Sequence, residues 1–272
     1  MERITEQPSR YDHLEKKTTA ELVAAINSED KLVASAIEKE LPKITRLIDT
    51  IVHQIKNGGR IFYLGAGSGG RLSVLDIIEL PNTYGIEPGI FNAILAGGVE
   101  NLVLALEERE DDEKEGWGQL QQNNISPKDI VVGISASGTT PFVLAALKKC
   151  REHGIPCGSI VHNPDSPISQ HSDYPVEVVM GPEFVTGSTR MKCGTAQKML
   201  FDIISTTTLI RLGRVEGNRM VNVRLINNKV VDRSVKMILE QSNLTDYEEA
   251  KKVLLLCGNV KKSLNYLNTK QS

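Results

Sequence analysis

Aromatic side chains are scarce, at 4% of the 272 residues, which leaves few platforms for stacking nucleic-acid bases. A basic excess is also missing: 32 lysines and arginines stand against 34 aspartates and glutamates, for a net charge of −2. A general nucleic-acid binder needs a cationic surface to displace counterions, so nucleic acid is not an expected partner. No apolar run reaches the roughly 18 residues of a membrane helix, and no membrane partner is expected. The opening Met1-Glu2-Arg3-Ile4-Thr5-Glu6-Gln7 lacks the apolar stretch of a signal peptide. Cysteines are few, at 150, 157, 193 and 257, and none pairs as Cys-x-x-Cys. They read as reduced thiols of a cytoplasmic protein. The five histidines, at 13, 53, 153, 162 and 171, show no zinc-type spacing, so no metal site is expected.

What is present is an ordinary globular balance, 40% hydrophobic and 24% charged. The length suits about two domains and buries a core without staples. Residues 1–57 read as helical. Thr18-Thr19-Ala20-Glu21 has the capping-box shape, and Ile26, Val33, Ile37, Ile44, Ile48, Ile51 and Ile55 follow at broadly helical spacing. Asn57-Gly58-Gly59 stops the run.

Residues 58–219 change rhythm. Short apolar runs at Ile61–Leu64, Phe91–Leu95, Ile130–Ile134, Ser159–Val161 and Val176–Met180 read as strands. Helices are expected at 71–79, 98–108, 141–153 and 164–171, with a longer one over 188–212 that Gly213 could end. Alternating strand and helix implies an α/β fold, a parallel five-stranded sheet sandwiched by helices. Residues 220–272 read as a small helical module, with Thr245-Asp246-Tyr247-Glu248 again at capping-box spacing.

Three loops could carry chemistry. Gly65-Ala66-Gly67-Ser68-Gly69-Gly70-Arg71 joins a strand to a helix, where glycines and a helix N-terminus suit an anion. Its Gly-x-Gly-x-x-Gly spacing lacks the acid that dinucleotide binding needs after a second strand, since Glu87 precedes that strand. Ser135-Ala136-Ser137-Gly138-Thr139-Thr140-Pro141 places hydroxyls and a glycine at another helix start, which suits a phosphate monoester. Gly181-Pro182-Glu183 through Ser188-Thr189-Arg190-Met191-Lys192 is a third polar strand-to-helix crossing. Taken alone, each could be a plain turn or cap. Two such loops in one parallel sheet point to a ligand outside the carboxyl ends of the strands. Glu79 ends a mostly apolar helix, where a carboxyl group could hold its proton for acid catalysis; a solvated helix end is the alternative. The acidic cluster Glu107–Glu115 reads mostly as a solvated face, and composition singles out none of its members.

Several motifs stand in order along the chain. They are Gly65-Ala66-Gly67 with Gly70-Arg71, Val74-Leu75-Asp76 with Glu79, Ala96-Gly97-Gly98, Glu110-Asp111-Asp112, Ser137-Gly138-Thr139-Thr140-Pro141, Asn163-Pro164-Asp165-Ser166, and Gly187–Lys192 with Gly194-Thr195-Ala196-Gln197-Lys198. Together they resemble the N-acetylmuramic acid 6-phosphate etherases, enzymes of the sugar-isomerase (SIS) fold, which is flavodoxin-like or Rossmann-like. The resemblance runs from about Thr5 to about Leu267, and a vertebrate glucokinase regulator with two such domains shares the fold. The chain departs from the family at Ser68-Gly69, Leu80-Pro81-Asn82 and Cys193.

The resemblance implies three segments: an N-terminal helical segment, a SIS domain and a UBA-like C-terminal module. It implies a carbon–oxygen lyase of amino-sugar and cell-wall sugar catabolism that needs no cofactor. It assigns Glu79 as proton donor to the departing lactate and Glu110 as the partner that activates water. Ser135, Ser137, Gly138, Thr139 and Thr140 are the phosphate candidates, with Ser68 second. Glu183 stands where sugar-phosphate isomerases of this fold carry a base and is expected here in sugar recognition, with Ser188 and Lys192 alongside. Over a straight helix 71–79, Glu79 would lie about 12 Å from the helix start, too far for one small sugar to span. A second subunit is therefore expected to complete the site in a two-fold homodimer. An isomerase using Glu183 or Glu79 as base, or a non-catalytic sugar-phosphate sensor, are the alternatives within the same fold.

Overall fold

Short apolar runs form the strands of the central sheet, and its three inner strands are buried on both faces. The computed structural model describes residues 3–104 and 106–271. The strands are β1 Ile61–Gly65, β2 Phe91–Leu95, β3 Ile130–Ser135, β4 Cys157–Val161 and β5 Tyr174–Glu177. All pairs are parallel, in the order β2-β1-β3-β4-β5. Every residue of β1, β3 and β4 is buried. The fifth strand lies earlier than the expected Val176–Met180. Its ladder starts at Tyr174, while Val178 still donates its N–H to the Val161 carbonyl at 2.9 Å.

The chain divides into two compact units, Met1–Ile77 with Gly89–Thr208, and Ile78–Pro88 with Leu209–Ser272. The first carries the sheet. Helix α1, Thr19–Lys56, belongs to it. Its buried stripe of Val33, Ile37, Ile44, Leu47, Ile48 and Ile51 has nowhere to go but the sheet. A Cβ on Gly158 of β4 would lie 2.6 Å from Leu47, so the missing side chain lets α1 settle directly on the strand. The expected capping box is present, with Thr18 and Glu21 bonded reciprocally. Residues 3–18, in contrast, are not α-helical. They run as an extended segment with short 3-10 turns at Ile4–Glu6 and Leu14–Lys16.

The crossovers are α2 Gly67–Tyr84, α3 Glu115–Gln122, α4 Pro141–Glu152 and the short α5 Pro167–Gln170, and α6 Lys192–Arg211 follows the last strand. No α-helix covers 98–108; the described residues there form 3-10 turns at Val99–Asn101 and Glu107–Asp111. The helix of this crossover is α3, hidden in the sequence by two glycines. One of them, Gly116, is required: a Cβ there would lie 2.9 Å from the Phe142 carbonyl and 3.2 Å from Ala146 of α4.

The second unit begins earlier than residue 220 and takes the last part of α2 with it. Arg214 donates to the Gly85 carbonyl at 2.9 Å, and the Arg224 N–H to that of Asn82 at 3.3 Å. Helices α7 Asn228–Gln241, α8 Tyr247–Cys257 and α9 Val260–Gln271 enclose Val221, Val235, Ile238, Ala250, Leu254 and Val260. Helix α8 is capped by Asp246, which accepts from the Glu249 N–H, one position later than the Thr245–Glu248 spacing suggests. No described helix is long and apolar enough to cross a membrane.

His162, fully buried just beyond β4, donates from Nδ1 to the Val178 carbonyl at 2.9 Å. Burial depresses its pKa to about 4. Between that value and the ordinary 6.5 the unfolded chain binds the extra proton, so the folded state loses stability as pH falls through this window. Urea unfolding of the wild type should therefore show a steeper loss between pH 6.5 and 4 than that of His162→Gln. Parallel curves for the two proteins would contradict the buried neutral imidazole.

Candidate functional site

The site forms where glycine lets a helix start press on the strand ends. A Cβ on Gly70 would lie 2.8 Å from the Gly65 carbonyl group and 2.5 Å from Leu95, and one on Gly69 would lie 2.8 Å from Ile134 of β3. Helix α2 can therefore begin at Gly67, at the mouth of the sheet. Gly67 itself has φ +53°, and a Cβ there would be 2.7 Å from Oε1 of Glu110. Glycine at this position leaves room for the Glu110 carboxyl group at the start of α2.

The turn bearing Glu110 is anchored by Glu115. That carboxylate accepts from the Gly97 N–H at 3.0 Å and pairs with Arg109 at 3.1 Å. Burial raises the Glu110 pKa above its ordinary 4.5; Glu107 and Asp111 add to the rise, and Arg71 opposes it. A carboxyl group held in this way can exchange a proton nearer to neutral pH than a solvated one.

Opposite stands the loop from β3 into α4. Ser135 Oγ lies 2.8 Å from Thr140 Oγ1 and 3.3 Å from Ser137 Oγ, and it accepts from the Gly138 N–H at 3.0 Å. Ser137 Oγ accepts from both the N–H and the hydroxyl of Thr139. Gly138 has φ +72°, and a Cβ there would overlap Ser166 at 2.4 Å, so only glycine fits this turn. The hydroxyls are mobile donors arranged around the N-terminus of a twelve-residue helix, a setting favourable to an anion.

A cavity of about 230 Å³ joins these parts within the first unit. Ser68, Ser135, Ser137, Thr140 and Glu110 line it together. Thr139 faces a neighbouring cavity that shares Arg3 and Ser137. Arg3, Glu6, Thr189 and Gln197 also line the main cavity; Thr189 stands in the third polar loop, but none of the four is among the candidate site residues above. Thr189 and Gln197 lie inside motifs of the resemblance, which was a usable signal. Arg3 and Glu6 carried none.

Glu183, Ser188 and Lys192 do not line the cavity. Glu183 is buried and accepts from the N–H groups of Lys192 and Cys193, both at 2.9 Å, which caps α6 with a negative charge. The Lys192 ammonium is buried as well, paired with Glu29 of α1 and bonded to the Met180 carbonyl. Glu29 accepts a further bond from the Tyr11 hydroxyl at 3.1 Å. The same burial holds the Cys193 thiol protonated, far above its usual range. Ser188 sits in the turn before α6, its N–H bonded to the Val185 carbonyl. Glu79 lies on the exposed surface of α2, in the part of that helix that belongs to the second unit. Among the described residues, no group of three histidines, cysteines or acids is arranged to hold a metal ion.

A Rossmann-like parallel sheet with hydroxyl- and glycine-rich loops at its carboxyl edge defines a sugar-isomerase (SIS) domain. The SIS domain family matches residues 115–206, and the glucokinase regulatory protein N-terminal SIS domain matches 43–151. A phosphoheptose isomerase from Francisella tularensis shares the fold with a TM-score of 0.55, covering 73% of this chain and all of that one at 15% identity. Sequence relatives are far nearer. The N-acetylmuramic acid 6-phosphate etherase of Bacteroides thetaiotaomicron is 51% identical over 262 residues, 96% of this chain and 94% of the relative. That of Clostridium acetobutylicum is 42% identical over 89% of this chain and 80% of the relative. The chain belongs to the N-acetylmuramic acid 6-phosphate etherase family.

Two outcomes follow from the geometry. Lys192→Met leaves Glu29 buried without its cation and should lower the unfolding free energy by about 3–5 kcal/mol, most of it recovered by adding Glu29→Leu. Unchanged stability of the single variant in urea would show that the pair is not structural. The Glu110 carboxyl carbon, followed by NMR, should titrate above 4.5, and Glu107→Gln should move the midpoint down. A midpoint at or below 4.5 would contradict the buried setting.

Proposed function

We propose that this protein cleaves the D-lactyl ether at C3 of N-acetylmuramic acid 6-phosphate, giving N-acetylglucosamine 6-phosphate and D-lactate. The observation that carries the reading is the meeting, in one cavity, of a hydroxyl loop suited to an anion with a carboxyl group whose pKa is raised. The names of relatives at about half identity over nearly the whole chain support it.

Opening the sugar ring exposes an aldehyde at C1, which acidifies the hydrogen on C2. A carboxylate removes that hydrogen, an acid protonates the ether oxygen as lactate leaves, and water then adds at C3. Ser135, Ser137 and Thr140, with Ser68, hold the 6-phosphate. Glu110 supplies the base that activates water, and Glu79 protonates the departing lactate. The site is completed by a second copy in a two-fold dimer. Leu75 and Ile78, at 44% and 57% exposure, stand beside Glu79 on one face of α2, and such apolar exposure suits a face that another copy covers. The protein works in the cytoplasm on a soluble amino-sugar phosphate, in cell-wall sugar catabolism.

Purified protein mixed with N-acetylmuramic acid 6-phosphate should release D-lactate. In deuterium oxide the sugar product should carry deuterium at C2. Glu79→Gln and Glu110→Gln should each slow the reaction by roughly 10²-fold or more. Interconversion of aldose and ketose phosphates without lactate would indicate an isomerase. Tight binding of a hexosamine phosphate without turnover would indicate a regulator.

A further inference from the structure

The Asn163-Pro164-Asp165-Ser166 motif has no part in the chemistry above, and the cavity contains two charged residues from the start of the chain. These facts have one explanation. Asn163 is 4% exposed, and its carboxamide is fully engaged. Oδ1 accepts from the Thr5 N–H at 3.2 Å. Nδ2 donates to Thr5 Oγ1 at 2.9 Å and lies 3.2 and 3.0 Å from the carbonyls of Ala136 and Ser137. One side chain thus ties the N-terminal segment to the backbone of the hydroxyl loop. Thr5 is buried by this tie at 1% exposure, while Arg3 and Glu6 on either side of it are exposed and line the cavity. Further along, Ser9 bonds Thr186 Oγ1 at 2.9 Å and the Phe184 carbonyl at 2.7 Å, so the segment is held at both ends.

The two charges are sorted. Arg3 donates to Thr139 Oγ1 at 3.2 Å, beside the hydroxyl loop. The Glu6 carboxylate lies toward Gly187, 3.5 Å from where that residue's Cβ would stand. An ionised carboxylate only accepts hydrogen bonds, so it repels phosphate and suits a donor. The donors of an amino-sugar phosphate are its hydroxyls and its acetamido N–H. We infer that Glu6 is a substrate-binding residue that accepts a hydrogen bond from a sugar hydroxyl or the acetamido N–H, and that the Thr5–Asn163 tie is what positions it. The inference rests on the amino-sugar phosphate reading above. It makes the N-terminal segment a wall of the site with its own part in substrate choice, separating sugar phosphates from phosphate alone.

Calorimetry with two probes tests this. Glu6→Ala should weaken N-acetylglucosamine 6-phosphate binding by tenfold or more, as loss of a hydrogen bond to a charged group does. Inorganic phosphate should bind as well as before or more tightly, and the melting temperature should not change. Glu6→Gln keeps an acceptor oxygen and should recover most of the sugar affinity. Thr5→Val, a change outside the hydroxyl loop that keeps the Asn163 contacts to the Ala136 and Ser137 carbonyls available, should weaken sugar binding at least threefold and speed exchange of the residue 5 amide. Equal sugar affinity in Glu6→Ala and wild type, or parallel changes for both probes, would overturn the inference. Lactate release by the wild type decides the etherase reading separately, because the binding ratio is read without turnover.

Discussion

A side chain on Gly65, Gly69 or Gly70 would push the start of α2 away from the sheet, and the candidate site depends on that contact. The backbone contact, 2.8 Å between a Cβ on Gly70 and the Gly65 carbonyl group, allows no substituent. With the helix start pressed on β1 and β3, its first residues, Ser68 and the Glu110 carboxyl group line one small cavity with the β3–α4 loop. The parallel sheet directs these loops to the same edge, and glycine makes them close enough to share a ligand. The Asn163 tie adds a third wall by fixing residues far away in sequence to the same loop.

Much of the fold was legible because its signals are local. The strands are short apolar runs without alternation, and three of them are buried throughout. The Thr18–Glu21 box opens α1 as its spacing implies. The rest depended on distant packing. Helix α3 carries two glycines that weaken it locally, and one of them exists to admit α4. Residues 3–18 carry helix-compatible residues, yet beyond two short 3-10 turns their bonds go to distant partners at 163, 184 and 186. The last turns of α2 and the residues from 209 onward form one unit because Gly85 and Asn82 accept bonds from Arg214 and Arg224, a pairing across more than a hundred residues.

The candidate site divides along the same line. The hydroxyl loop stands out by residue type, since serines, threonines and a glycine before a helix proline suit an anion, although a plain helix cap uses the same residues. Glu183 and Lys192 share the same polar crossing, but nothing local distinguishes a carboxylate that caps α6 from one that meets a ligand. Burial decides it: Glu183 and Lys192 are each 1% exposed and fully partnered by protein groups. Glu6 is the reverse case, a charged residue near a chain end whose place at the cavity is set by Asn163, 158 positions from Thr5.

The central claim is that the cavity between the β3–α4 loop and Glu110 holds the amino-sugar phosphate. A crystal structure of the protein with N-acetylglucosamine 6-phosphate tests it most directly. The account predicts the phosphate within hydrogen-bonding distance of Ser135, Ser137 and Thr140, with C3 of the sugar turned toward Glu110. A phosphate bound away from that loop, or a sugar whose C3 faces away from Glu110, would contradict it.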